Sequence, residues 1–367
     1  MLQIFPDSYH AHYYASGTGA LAAAIIAAIR LKAVDRPEVI LPAYGCPDLI
    51  SAALFAGAAV VLVDIENDRP WMNLEQLAEK ITTNTVAIIA VNLFGILEQR
   101  QALRSLAAQA DTLLIEDSAQ AFPGHTEKNF WQGDLIVLSF GRGKPVSLLG
   151  GGAVLFNKSN LKCNEFLRLL PVGTAQCKVN LQEQTAFRLK ARLYNWMIRP
   201  KLFWLPQSLP FLHLGETRYH PLSSLQAIDR IRLSMLPANI KAYQAAMMHV
   251  QEKLAVALDK CDLEQAGIID LPRACNISRH RRLLRYPLLV EPERRDLLYA
   301  RLQQHGLGAS LMYPKPLPEM PALAALLFAQ GSFPAASKFS KKIITLPTHL
   351  QLTDADIAKI RGIISSF

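Results

Sequence analysis

The chain has 367 residues, of which 51% are apolar and 19% charged, and Lys plus Arg outnumber Asp plus Glu by 39 to 30. That composition excludes a disordered or fibrous chain and leaves room for one large core, or for a large and a small domain. The net charge of +9 favours anionic partners such as phosphates, nucleotides or an anionic membrane surface. The basic residues are dispersed, however, so nucleic acid is not indicated, and the short cluster "SRHRRLLR" at 278–285 reads as a solvated face.

Cys46, Cys163, Cys177, Cys261 and Cys275 are widely separated and form no CxxC pair, which indicates neither a zinc knuckle nor a disulfide framework. A reducing cytoplasm is the expected home. The opening "MLQIFPDSYHAHYY" lacks the basic start and apolar stretch of a signal peptide.

Taken in chain order, "SGTG" at 16–19 leads into an Ala-rich run that falls short of a membrane span and predicts a loop feeding a buried helix. Short β-branched runs follow at 38–44, 59–65, 85–95, 112–117, 135–140 and 151–156, and helical spacing appears at 48–58, 73–82 and 97–110. Continuous apolar strands alternating with helices predict an α/β fold with a mostly parallel sheet covered on both faces. The chain begins so close to the SGT loop that no strand is read before it.

The second half differs. Residues 161–217 are helix-like, basic and aromatic, and 223–258 read as one long helix interrupted near Pro237. The tail mixes a strand at 283–290 with helices at 294–306 and 354–367. The expected organisation is a large domain over 1–217, with a basic and aromatic helical insert at 177–217, then a connecting helix and a small C-terminal α+β domain over 218–367. Within the insert, "FRLKARLYNWMIRPKLFWLP" at 187–206 has the composition of an interfacial membrane helix. A buried helix at a dimer interface explains it equally simply and is favoured.

Three spots gather polar groups where open α/β sheets place their ligands, at strand ends. Backbone amides and Thr18 in "SGTG" make an anion site at a helix N-terminus, although a capping Ser or Thr accounts for the same letters. In "LLIEDSAQA" (113–121) a buried strand ends in Glu116-Asp117; a carboxylate there is costly unless it meets a cation or caps a helix. No His or Cys stands nearby at ligand spacing, so no metal is expected. In "SFGRGKPVSLLGGGAV" (139–154), Ser139 ends a strand and Lys144 sits in a glycine-rich turn without a Walker pattern. An amine for an aldehyde, an acid for a ring nitrogen and an anion site are together what pyridoxal phosphate (PLP) requires.

Nine stretches in order carry a resemblance: "SGTGAL", "VILPAY", "AGAAVVLVDI", "VNLFG", "IEDSAQAFPG", "GDLIVLSFGRGKPVSLLGGGAV", "SSLQAI", "GLGASLMYPKPL" and "ITLPTHLQLT". On these the chain resembles the DegT/StrS-type sugar aminotransferases, PLP enzymes of the aspartate-aminotransferase fold. The resemblance implies that Lys144 holds PLP and shuttles protons, and that Asp117 pairs with the pyridine nitrogen. It places Gln120 beside the ring near the phenolic oxygen, gives Gly17, Thr18 and Ser139 to the phosphate, and brings Tyr313 towards the substrate. It further implies a keto-sugar substrate, nucleotide- or lipid-linked, an amino-acid donor such as glutamate, and a homodimer. Dehydration of a sugar, or a PLP-binding protein with a regulatory or assembly role, is the alternative. The chain departs from the family's pattern at Cys46, where an aromatic ring commonly stacks on PLP, and at Tyr219, Pro221 and Pro318, where Asn, Arg and His are usual.

Overall fold

The structure is a computed structural model that describes residues 4–125, 127, 129–174, 218–327 and 330–367. The insert at 177–217, with its 187–206 segment, therefore lies outside the described residues.

A seven-stranded sheet dominates. Its strands are β1 (Tyr9–Tyr14), β2 (Glu38–Pro42), β3 (Ala59–Val63), β4 (Thr85–Val91), β5 (Leu113–Asp117), β6 (Leu135–Ser139) and β7 (Gly152–Asn157), in the order β1-β7-β6-β5-β4-β2-β3. Strands β3, β2, β4, β5 and β6 run parallel, whereas β7 is antiparallel to β6 and β1 antiparallel to β7. The central strands are apolar on both faces; every residue of β4 and β5 is buried. Helices cover them: α1 (Gly17–Lys32), α2 (Asp48–Ala56), α3 (Leu74–Lys80), α4 (Arg100–Gln109) and α5 (Cys163–Leu169).

Helix α1 owes its position to size. Ala20, Ala22, Ala23, Ala24, Ala27 and Ala28 are buried, and such small side chains let α1 lie close against α2, β6 and β7 at once. Ser16 caps it, its Oγ accepting from Gly19 N at 3.0 Å.

The strand β1 is a correction to the expectation that the chain reaches the SGT loop without one. "YHAHYY" offers no clean apolar alternation; what makes it a strand is its register on β7, from Tyr9 opposite Asn157 to Tyr14 opposite Gly152.

Beyond residue 217 the long helix is also corrected. Residues 223–229 are extended, held by bridges from Ala227 to Tyr14 and from Gln226 to Thr174. Helix α6 (Arg230–Ala245) then runs straight through Pro237, and α7 (His249–Leu258) follows. Pro237 forfeits one intrahelical bond, but Leu236 and Ile240 beside it anchor α6 in an aromatic-rich core with Phe122, Trp131 and Phe140. The break falls at Ala246 instead. There the Arg282 guanidinium donates to the carbonyls of Tyr243 and Ala246, satisfying groups the helix end leaves open.

A second, antiparallel sheet of β8 (Ile268–Asp270), β9 (Arg285–Val290) and β10 (Ile343–Pro347), ordered β10-β9-β8, is flanked by α9 (Pro292–Gln304), α11 (Pro334–Lys342) and α12 (Asp354–Ser365), with the short α8 (Leu271–Ala274) and α10 (Pro321–Leu327) between. Among the described residues no helix is long and apolar enough to cross a membrane.

Candidate active site

The carboxyl ends of β4, β5 and β6 open on a cleft lined by Gly17, Thr18, Cys46, Asp117, Gln120, Ser139 and Lys144, with Asp48, Asn92 and several apolar side chains. Every sequence-derived candidate except Tyr313 is on that wall, and Tyr313 stands directly behind it.

The phosphate-type corner is built by contact between α1 and β6. A Cβ on Gly17 would stand 2.6 Å from Ser139 Cβ, so only glycine lets the first turn of α1 approach the serine. The loop after β6 is stitched at its base: Phe140 N donates to Gly151 O at 2.8 Å, and Leu148 N and Gly150 N donate to Phe140 O at 2.8 and 3.1 Å. Lys144 hangs from this closed loop. The glycines serve a turn rather than mere pliability, since Gly150 and Gly151 have φ of 152° and 100°, outside what other residues readily adopt.

The two adjacent carboxylates of β5 divide because a strand alternates its faces. Glu116 is wholly buried and consumed by structure. Its Oε1 accepts from Asn92 Nδ2 at 2.9 Å, its Oε2 from Gln132 N at 2.7 Å and Gly133 N at 2.9 Å, and Arg100 Nη1 lies 3.7 Å away. Asp117 faces the cleft. Its Oδ1 accepts from Ala119 N at 2.9 Å, and no hydrogen bond holds Oδ2 among the described residues. Burial pushes its pKa up, with Asp48 adding to the rise, while the Ala119 N–H and the Lys144 charge oppose it.

Gln120 lines the cleft with its amide already committed. Oε1 accepts from Phe94 N at 2.9 Å, and Nε2 donates to the Tyr313 hydroxyl at 3.0 Å. Tyr313 is itself fixed through its backbone: the Tyr44 hydroxyl donates to Tyr313 O at 2.9 Å and accepts from Tyr313 N. Leu317 N donates to Ala43 O at 2.8 Å beside it, so the segment after β2 and the segment 313–317 are clasped. Tyr219 and Pro221 do not line the cleft, and Pro318 lies on a 3-10 turn at Leu317–Glu319.

Sequence reasoning missed Asp48, Tyr44 and the role of Asn92. Asp48 reads as an acid in the first turn of α2, a common complement to the helix dipole. Tyr44 reads as core, which it also is. Asn92 had a signal in "VNLFG": a polar residue closing a wholly apolar strand.

An amine, a free carboxylate oxygen, a hydroxyl and a glycine-backed helix start thus share one cleft. That donor set suits a phosphorylated aromatic aldehyde, and the residues present fit PLP. The architecture is that of a fold-type I PLP-dependent aminotransferase. A profile of the DegT/DnrJ/EryC1/StrS aminotransferase family matches residues 2–195 and 222–365, and the chain belongs to that family.

Its relatives include a dTDP-3-amino-3,4,6-trideoxy-alpha-D-glucose transaminase of Micromonospora megalomicea, 25% identical over 84% of this chain and 74% of that protein. A UDP-2-acetamido-2-deoxy-3-oxo-D-glucuronate aminotransferase of Pseudomonas aeruginosa is 25% identical over 94% of this chain and 82% of that one. Among solved structures, S. venezuelae DesV superposes with a TM-score of 0.70 at 21% identity, covering 97% of this chain and 84% of that one; at that identity it speaks for the fold.

Proposed function

We propose that the protein transfers an amino group to the carbonyl of a nucleotide-linked keto-sugar, with glutamate as the donor. The convergence of Lys144, Asp117, Ser139 and the Gly17–Thr18 turn on one cleft carries this reading. The sugar class rests on relatives named for dTDP- and UDP-linked sugars.

When bound, PLP supplies an electron sink and a carrier for the amino group. Lys144 Nζ would hold the cofactor by its amine and would serve as the base and acid for the proton at the substrate carbon. Asp117 Oδ2 would pair with the protonated ring nitrogen, and that cation would offset the cost that burial places on the carboxylate's charge. The Gly17 and Thr18 backbone and Ser139 Oγ would hold the phosphate, aided by the positive end of α1. Gln120, braced by Phe94 and Tyr313, would border the ring.

We also propose a PLP-binding lobe over 1–217 and a C-terminal lobe over 218–367, a homodimer, and a cytoplasmic location. Among the described residues Cys46, Cys163, Cys261 and Cys275 are unpaired, which supports the last.

The test is spectroscopic. Purified protein given PLP should show a visible band that Lys144→Ala lacks, and glutamate should bleach it to the near-ultraviolet band of the aminated cofactor. Nucleotide-linked keto-hexoses should restore the visible band with formation of an amino sugar. Absence of any band in the wild type sinks the proposal, and a band indifferent to every amino donor would make the chain a PLP-binding protein without turnover. Light scattering that reports a monomer counts against the dimer.

A further inference from the structure

Gly150 and Gly151, which close the loop carrying Lys144, leave room for a neighbour as well as for a turn. A Cβ on Gly150 would stand 3.1 Å from Arg232 Nε and 3.4 Å from its Cζ, and one on Gly151 would lie 2.8 Å from Ile228 Cδ1. The segment that enters α6 therefore lies directly against the loop.

Arg232 does more than fill that space. Its Nε donates to Leu148 O at 3.2 Å, a carbonyl on the limb that leads away from Lys144. Asp229 aims the guanidinium: its Oδ2 accepts from Arg232 Nη1, while its Oδ1 accepts from Arg232 N at 2.9 Å and caps α6. Asp229 is buried, and a charge-assisted pair on a rigid guanidinium holds one geometry. The same segment is tied to the residue before the SGT turn, since Ala15 N donates to Gln226 O and Gly151 N to Ala15 O, both at 2.8 Å.

Between Leu148 and Lys144 the chain has little freedom. Pro145 has a fixed φ next to the lysine, and Val146 and Leu148 are buried in one core with Ile136, Leu138 and Leu155. On the other side, Lys144 N donates to Gly141 O at 3.3 Å. A shift at Leu148 is thus passed along four residues to the amine.

We propose that Arg232 is a positioning residue for Lys144: aimed by Asp229, it pins the Leu148 carbonyl and so sets where the amine stands over the cleft. This rests on the PLP reading above. Arg232 does not itself line the cleft. It acts on the capture of the aldehyde, in which amine nitrogen and carbonyl carbon join with loss of water, and leaves the anion corner alone.

The experiment separates PLP, which must react with Lys144, from pyridoxamine phosphate, which has no aldehyde and reports the rest of the site. Affinities for both are titrated by absorbance and fluorescence, and the rate of PLP capture is followed by stopped flow. The proteins are wild type, Arg232→Met and Arg232→Gln, each first checked for a cooperative thermal melt. The two replacements match in length, but only Gln puts an N–H donor where Nε stands. A displaced amine should slow capture roughly ten- to a hundredfold. Arg232→Met should show that slowing and weaker PLP binding with unchanged affinity for pyridoxamine phosphate, and Arg232→Gln should capture PLP at close to the wild-type rate. If Arg232→Met does not melt cooperatively, Asp229→Asn, which keeps the cap but loosens the guanidinium, takes its place with the same expectation. Equal losses for the two ligands, an Arg232→Gln that behaves like Arg232→Met, or capture at the wild-type rate in Arg232→Met would each overturn the positioning role while leaving cofactor binding intact. A wild type that binds neither ligand overturns the functional reading, and this role with it.

Discussion

Gly17 and Ser139 touch across the mouth of the cleft so closely that a single carbon added to residue 17 would lie 2.6 Å from Ser139 Cβ and 2.7 Å from its Oγ. The start of α1 and the end of β6 are thus one surface, and the approach of helix to strand sets the width of the anion corner. Gly17→Ala must push the helix start off the strand. The expected outcome is a stability loss of about 1–3 kcal/mol and at least a tenfold weaker affinity for PLP, read by absorbance titration. Inorganic phosphate, tested as a competitor, should lose affinity alongside it.

Glu116 and Asp117 are neighbours with opposite duties, and substitution should separate them. Glu116→Ala strips acceptors from Asn92, Gln132 and Gly133 and takes the carboxylate from beside Arg100, which keeps only the Phe130 carbonyl, a cost of about 3–5 kcal/mol visible as a lower melting temperature. Asp117→Asn removes a charge that burial disfavours. For an acid with a raised folded pKa, stability is greatest below the unfolded pKa and is lost as pH rises. The cofactor-free Asn variant should therefore melt at or above wild type at pH 7, and the two should converge in acid. Its turnover should nevertheless fall by orders of magnitude, because nothing would keep the ring nitrogen protonated.

Glu98 gives a second pH signature, away from the cleft. Burial lifts its pKa to about 8, the nearby Glu66 charge adding to the rise, against hydrogen bonds from Gln99 N and Met72 N. The unfolded chain ionises near the ordinary ~4.3, so between that value and about 8 the folded state holds a proton the unfolded state has lost. Stability should decline across this window and level off above it. In Glu98→Gln the decline in melting temperature between pH 5 and 8 should be shallower, on top of a pH-independent loss for one missing acceptor. Parallel curves for the two proteins would refute the assignment.

The Tyr44 hydroxyl serves both the N–H and the C=O of Tyr313. Tyr44→Phe leaves the two backbone groups buried and unpaired, for a loss of about 1–3 kcal/mol, measured by chemical denaturation. Amide exchange at Tyr313 should accelerate, whereas exchange in β4 and β5 should follow only the global change.

Those central strands also show what a sequence states openly. β4 and β5 are apolar on both faces because helices cover both faces, so their letters alone announce a parallel sheet. β1 could not be read that way, since "YHAHYY" becomes a strand only by lying along β7. The stretch 223–229 carries helix-like spacing yet is pulled extended by Tyr14 and Thr174, partners far away in the chain. The same division holds at the cleft. Lys144, Asp117 and the SGT turn were legible because each breaks its surroundings: a cation among glycines, an acid on an apolar strand, a polar turn before an alanine helix. Asp48 and Tyr44 obey local rules where they stand, and only the fold puts Asp48 on the same cleft wall as Lys144 and Tyr44 against the Tyr313 backbone.

The loop that carries Lys144 has one more consequence. Phe140 ties both ends of residues 141–150 with its own N–H and C=O, and the far limb is pinned as well: Val146 and Leu148 are buried with Ile136, Leu138 and Leu155 of the sheet, and Arg232 Nε donates to Leu148 O at 3.2 Å. In engineering terms it is a bracket bolted at three points. A change at Val146 or Leu148 would therefore move the amine over the cleft without touching any residue of the cleft itself.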